Sequence, residues 1–269
     1  MSLRIQSNPE AMNAHRQLLG TSEKLQKSME RLSSGYRINR AADDAAGLAI
    51  SEKLRGQISG ISQAMRNTQD AVSLVQTAEG ALQEVHSMLQ RMRELAVQYK
   101  NGTLSVDDRT AIQSEVNQLQ SEIDRIGTQV QFNGVQLLSS AGSITFQVGA
   151  MDSQSITVST VSLGAAVGTA AGALTPTGAS DIAEIDTAIN NISAQRAQFG
   201  AVQNRLDHTL ANLATYHENL VASESRVRDA DMAQEMVDFT KLQILQQAGT
   251  SMLAQANQIP QSVLTLLRG

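Results

Sequence analysis

Residues 43–100 read DDAAGLAISEKLRGQISGISQAMRNTQDAVSLVQTAEGALQEVHSMLQRMRELAVQYK and contain no proline. Their apolar side chains recur at alternating spacings of three and four, broken only by the polar Glu79. The repeating positions are Ile58, Ile61, Met65, Thr68, Val72, Val75, Leu82, Val85, Met88, Met92, Leu95 and Tyr99. This spacing predicts one long helix with a narrow coiled-coil stripe. Such a helix would extend roughly 85 Å and could not bury its stripe alone, so partner helices are expected.

Three other segments supply candidate partners. Residues 3–33 predict a first helix, with Pro9 tolerated only in an early turn. The Asn101-Gly102 turn is followed by a second stripe: Ile112, Val116, Leu119, Ile123, Ile126 and Val130. Asp181 opens a third: Ile182, Ile185, Ile189, Ile192, Arg196, Phe199, Gln203, Leu206, Leu210, Leu213, His217 and Leu220. Its polar members could set the alignment of the paired helices.

The spacing of the apolar residues changes between residues 139 and 162. Apolar residues alternate at Ile144, Phe146 and Val148, and again at Ile156 and Val158, which predicts one β-hairpin. Residues 163–180 are small and of low complexity, and they predict a surface connection.

The composition excludes several function classes. The chain has 269 residues, no cysteine and only 3% aromatic residues, which suits thin helical bundles and rules out thiolate chemistry. Residues 1–100 carry a charge balance of +3 and the remainder −8, so the two parts favour packing together. This distribution argues against nucleic-acid binding, and no run is long enough to insert into a membrane. The start MSLRIQSNPE has no apolar core segment, so no cleavable secretory signal is expected.

No enzyme, cofactor or metal motif is found. His217-Glu218 begins like a zinc-protease helix, but Val221 stands where the second histidine is required. Asp43 or Asp44 could cap the long helix, and a capping and solvated role is favoured over that of a catalytic pair.

The segment RLSSGYRINRAADDAAGLAISEKLR, residues 31–55, resembles the N-terminal signature of bacterial flagellin. QFNGVQLL, residues 131–138, and the ending ANQIPQSVLTLLRG are similar to the same family. The likeness covers roughly residues 1–150 and 181–269. Many flagellins insert large outer domains in the middle, whereas here a hairpin and a short linker take that place.

The resemblance implies a mainly α fold: a long antiparallel helical coiled-coil rod with a small β-hairpin, plus an inner coiled coil formed by the N- and C-terminal helices. The expected parts are an inner-core helix and spoke (1–43), outer rod helices (44–138), the hairpin and linker (139–180), a C-terminal rod helix (181–224) and a C-terminal inner-core helix (225–269). Apolar residues expected to drive polymerisation in the inner core are Leu25, Leu32, Phe239, Leu242, Leu245, Leu253, Val263, Leu264, Leu266 and Leu267.

The resemblance also implies a function and partners. The chain would polymerise with itself into the extracellular flagellar filament used for swimming. It would be exported by the flagellar secretion apparatus with the help of a chaperone, and it would meet hook-junction and cap proteins. The alternatives are a hook–filament junction protein and, less in keeping with the β segment and apolar terminus, a signalling hairpin of a chemotaxis receptor.

QRMRELAVQ, residues 90–98, is similar to the patch by which some flagellins are recognised by the vertebrate Toll-like receptor for flagellin. The residues carried over are Gln90, Arg91, Glu94, Leu95 and, on the neighbouring helix, Glu115. A simpler interpretation is that Leu95 belongs to the apolar stripe and Arg91 is a solvated arginine.

Overall fold

The computed structural model describes residues 8–168 and 181–268, with side chains as far as residue 258. The chain divides into two compact units: unit 1 comprises residues 1–56 and 220–269, and unit 2 comprises residues 57–219. The helices are α1 (Pro9–Ser34), α2 (Ala45–Tyr99), α3 (Val106–Gln129), α4 (Leu163–Val167), α5 (Asp181–Arg228) and α6 (Met232–Arg268). The strands are β1 (Gln131–Phe132), β2 (Val135–Gln136), β3 (Gly142–Gln147) and β4 (Ser155–Thr160). The mainly α fold with long helices is therefore confirmed.

The core of unit 2 is formed by the three apolar stripes that the spacing predicted. The fully buried members include Ile61, Val75, Leu82, Val85 and Met92 of α2, Val116 and Ile123 of α3, and Ile185, Ile192 and Leu206 of α5. Because the buried positions follow the spacing of three and four, packing of the stripes accounts for the long helices better than intrinsic propensity does.

Two polar interruptions of the stripes meet each other. The guanidinium of Arg196 on α5 lies 3.6 Å from the carboxylate of Glu79 on α2, and both side chains are about one-third exposed. A charged pair at one place in two largely apolar stripes disfavours shifted alignments, since any shift would leave both charges without a partner.

The connection between α2 and α3 ends in a capping box. The Ser105 hydroxyl accepts a hydrogen bond from the Asp108 N–H, and the Asp108 carboxylate accepts one from the Ser105 N–H at 3.0 Å. This capping box satisfies backbone donors that the helix itself leaves free.

The middle of unit 2 differs from the sequence prediction in two places. A short second hairpin pairs β1 with β2 around Asn133 and Gly134, both with positive φ, where only the β3–β4 hairpin was expected. An Asn-Gly turn with this backbone is typical of tight hairpins. The expected surface connection also begins with a helix, α4, whose Leu163 and Val167 are buried. The rest of that connection, residues 169–180, lies outside the described residues.

In unit 1, α1 packs along α6. Asn8 caps α1 by accepting a hydrogen bond from the Ala11 N–H, and Pro9 occupies the first turn as predicted. The predicted residues 3–7 lie outside the described part. α5 continues to Arg228, beyond the expected boundary at residue 224, because no helix-breaking residue interrupts it there.

Residues 35–47 are held against the end of α5 by backbone and side-chain bonds. Gly35 ends α1 with φ 74°, and the Arg37 N–H donates to the Arg228 carbonyl at 2.7 Å. The Arg228 guanidinium lies 4.8 Å from the centre of the Tyr36 ring and 2.8 Å from Glu52. This connection is thus a fixed part of unit 1 rather than a loose linker.

Candidate assembly surface and recognition patch

An apolar surface on α6 is left uncovered by the described residues. It runs over two helical turns and comprises Met236, Val237, Thr240, Lys241, Ile244 and Leu245, here called the α6 patch. Val237 and Ile244 are 63% and 61% exposed. They are seven residues apart and therefore share one helix face. Contiguous exposed apolar surfaces of this kind are typical of protein–protein interaction sites.

The inner-core residues predicted from the sequence fall into three groups. Leu25, Leu32, Phe239, Leu242 and Leu253 are half-buried. Leu245 is exposed and belongs to the α6 patch. The side chains of Val263, Leu264, Leu266 and Leu267 lie outside the described residues.

The structure adds residues that the sequence prediction omitted. Met236, Val237 and Ile244 are exposed on α6, and Met12, Leu19 and Met29 are exposed on α1. The sequence signal for these residues was their separation by seven positions, as between Met12 and Leu19 and between Val237 and Ile244, which places each pair on one helix face. It could not show which of several apolar faces of α6 turns towards α1.

Asp43 anchors the connection that follows α1. Its carboxylate lies 2.6 Å from the Lys27 ammonium and accepts hydrogen bonds from the N–H groups of Arg40 and Asn39. The bond to Lys27, followed by that to Arg40, lowers the pKa of Asp43 from 3.8 to about 2. Of the two alternatives predicted for the cap of α2, Asp44 is the cap, and it accepts a hydrogen bond from the Gly47 N–H at 2.9 Å. Lys27 and the loop amides hold the carboxylate of Asp43 instead.

The Asp43→Asn variant should show a stability loss that depends on pH. A carboxyl whose pKa is lowered in the folded state stabilises it above pH 3.8, and that stabilisation is lost as the pH falls towards 2. We expect Asp43→Asn to lower the unfolding free energy by about 1–2 kcal/mol at pH 7 and to have little effect near pH 2. Urea denaturation of both proteins at several pH values measures this difference. A difference that does not change with pH would contradict the ionic role.

The residues carried over for receptor recognition form a charged cluster on unit 2. The Arg91 guanidinium lies 2.9 Å from Glu115 on α3 and 3.1 Å from Glu94 on its own helix. The hydrogen bond to Glu115, and then that to Glu94, raises the pKa of Arg91. Gln90 is exposed beside them and its amide nitrogen lies 2.9 Å from the His86 ring. Four of the five predicted residues are thus brought together at the surface.

Leu95 does not join that surface. It is only 2% exposed and belongs to the core of unit 2. The expectation that Leu95 lies at the surface of the patch is wrong, because its place in the α2 stripe turns the side chain inward. The cluster available to a partner is therefore the polar group of Gln90, Arg91, Glu94 and Glu115.

Within residues 8–168 and 181–268, no group of three His, Asp or Glu side chains is arranged to hold a metal ion. None of the helices in the described part is sufficiently long and apolar to span a membrane. The surfaces that stand out are those suited to protein contacts. Long paired helices with an uncovered apolar face define a structural protein that associates with other chains.

Two family models place the chain more closely. The bacterial flagellin N-terminal helical region matches residues 5–143, and the bacterial flagellin C-terminal helical region matches residues 182–267. The chain belongs to the bacterial flagellin family, and it is a structural subunit of the flagellar filament. The resemblance seen in residues 31–55 is thereby confirmed.

Individual relatives agree with this assignment. A flagellin of Halalkalibacterium halodurans is 52% identical over 98% of this chain and 99% of the relative. A Bacillus subtilis flagellin is 47% identical over 99% of this chain and 100% of the relative. The crystal structure of Bacillus cereus flagellin aligns with a TM-score of 0.52 at 37% identity, over 55% of this chain and 88% of that one. None of these matches favours the hook–filament junction alternative.

Proposed function

We propose that unit 1 forms the inner layer of the filament and unit 2 the outer layer, and that the α6 patch is covered by neighbouring subunits. The observation that carries the proposal is the exposure of Val237 and Ile244 on a helix whose opposite side packs on α1. Burial of each such side chain contributes about 1.5–3 kcal/mol. The same contact repeats at every subunit, so a small gain per chain suffices for a long polymer.

Electron microscopy of the purified chain tests this function. The purified monomer is heated and cooled, and polymerisation is then started by adding filament seeds or salt. Long uniform filaments are expected, and helical averaging would place the two units at inner and outer radius. Chains that add only to the ends of preformed hooks or filaments would support a junction protein instead. No catalytic role is proposed.

The α6 patch also suits a partner that acts before assembly. We propose that an export chaperone covers α6 in the cytoplasm, and that the chain then passes through the flagellar secretion apparatus to meet the hook-junction and cap proteins. A chaperone that covers this face would prevent premature polymerisation, because the same apolar residues cannot bind two partners at once.

A second proposed role is recognition by the vertebrate Toll-like receptor for flagellin through Gln90, Arg91, Glu94 and Glu115. Arg91 is half-exposed, and its two ion pairs hold it in one orientation. A preoriented arginine at the centre of a polar patch is a common anchor of protein interfaces.

We expect Arg91→Ala to weaken stimulation of cells that carry this receptor by about ten- to a hundredfold, because the charged hydrogen bonds of its guanidinium to the receptor would be lost. Arg93→Ala is the matched control, since Arg93 lies on the same helix with similar exposure and pairs with Asp186 instead. Exposed ion pairs contribute little to stability, so both variants should fold. Equal responses from the two variants would contradict the role of the patch.

A further inference from the structure

We infer that the thioether of Met236 in the α6 patch is a modification site, at which oxidation to the sulfoxide by a peroxide makes the free chain unable to assemble. The inference rests on the proposed covering of the α6 patch by neighbouring subunits, and it adds a chemical control of that step. Assembly in turn protects the thioether, because a covered sulfur is out of reach of the oxidant.

The exposed methionines of the chain are concentrated in unit 1. Among the described residues, all but Met151 belong to that unit: Met12, Met29, Met151, Met232, Met236 and Met252. In unit 2, by contrast, Met92 is completely buried in the core, and Met65 and Met88 are half-buried. Because oxidation of methionine follows the exposure of its sulfur, a limited dose of oxidant modifies the exposed methionines and spares the core of unit 2.

Met236 is distinguished from the other exposed methionines by its place in the α6 patch. Its side chain is 50% exposed and lines this patch together with Val237 and Ile244. Thr240 lies one turn further along α6, on the same side of the helix. The Thr240 hydroxyl already donates a hydrogen bond to the Met236 carbonyl at 2.8 Å. This hydroxyl is therefore not available to donate to a sulfoxide oxygen on Met236.

The oxidation needs no reactant besides the peroxide. The sulfur attacks one oxygen of hydrogen peroxide, the O–O bond breaks, and this oxygen stays on the sulfur while the other leaves as water. The sulfur loses two electrons and the peroxide gains them. The product carries a polar oxygen in place of an apolar thioether. Burial of that oxygen in an apolar contact without a hydrogen-bond donor is unfavourable, so the modified patch no longer suits the surface that covers it.

Hydrogen peroxide treatment of the wild type, Met236→Leu and Met151→Leu monomers tests the site. Leucine keeps the apolar volume of methionine, and Met151 is the matched control because it is 58% exposed but lies between β3 and β4 of unit 2. The dose is set so that peptide mass spectrometry finds Met236 of the wild type mostly oxidised. Treated wild type and Met151→Leu should then need about ten- to a hundredfold more chain to polymerise, whereas Met236→Leu should polymerise as it does untreated. Circular dichroism checks that the treated monomers keep their helices.

Reversal and protection of the wild type give two readouts that do not depend on the variants. Methionine sulfoxide reductases for both sulfoxide epimers should restore polymerisation of the oxidised monomer, and Met236 should be oxidised more slowly in filaments than in monomers given the same dose. Equal losses in Met236→Leu and Met151→Leu, no recovery after reduction, or equal oxidation of filament and monomer would overturn the inference. The untreated wild type tests the filament function separately, since its polymerisation does not depend on the oxidation state that peroxide produces.

Discussion

Chains with Val237→Asn and Ile244→Asn should stay folded as monomers but should not form filaments at concentrations where the wild type does. Both side chains are about 60% exposed in the single chain, so their replacement removes little internal packing. If neighbours bury them in the filament, each contributes about 1.5–3 kcal/mol per subunit. Loss of both would raise the critical concentration by about two to four orders of magnitude.

The matched control is Gln243→Asn with Gln247→Asn, at exposed polar positions of the same helix. It should polymerise nearly as well as the wild type, since no apolar surface is removed. Sedimentation of polymer over a range of chain concentrations measures both variants, and circular dichroism checks that the monomers keep their helices. Normal polymerisation of the Val237 and Ile244 variant would show that the α6 patch is not an assembly surface.

The long helices could be predicted from the sequence because their stripes are sustained. The stripe of α2 spans more than ten turns, and seven of its predicted positions are buried: Ile61, Thr68, Val75, Leu82, Val85, Met92 and Leu95. Even the break in this pattern was informative, since Glu79 pairs with Arg196, one of the polar members of the opposing stripe. Periodicity over many turns leaves little freedom in the choice of the buried face.

The remainder depended on local or tertiary contacts that periodicity does not report. The β1–β2 hairpin has two residues per strand, too few for an alternating pattern. α4 has five residues, and its burial depends on a neighbouring helix. Asp43 and Asp44 are adjacent and chemically identical, and only the position of Lys27 decides that Asp43 forms an ion pair while Asp44 caps α2.

The candidate sites, too, could be predicted from the sequence only in part, because they depend on how the helices pack. The charged residues near Arg91 were brought together because α3 packs along α2, as the two stripes predicted. Leu95 belonged to the stripe as well, and the stripe rather than the resemblance determined its position. The uncovered face of α6 could not be chosen from the sequence, since Phe239, Leu242 and Leu245 are equally apolar and only the position of α1 separates them.

Substitution of Leu82 by alanine should destabilise unit 2 more than any surface change considered above. Leu82 is completely buried in the α2 stripe, within the core formed with α3 and α5. Removing its side chain from such a core costs about 2–5 kcal/mol, the lost burial plus the cavity left behind. For a unit of this size the melting temperature should fall by about 4–20 °C, which thermal unfolding followed by circular dichroism measures.

Val97→Ala is the control for this variant, because Val97 lies on the same helix and is 51% exposed. It should change stability by less than about 0.5 kcal/mol. Comparable losses of stability from the two variants would mean that side chains all around α2 stabilise it, contrary to a single buried stripe.

The result also bears on assembly, because a loss in Leu82→Ala acts through folding of unit 2, whereas the α6 variant acts on a surface of a folded chain. Polymerisation of Leu82→Ala should therefore recover on cooling below its lowered melting temperature, and polymerisation of the α6 variant should not.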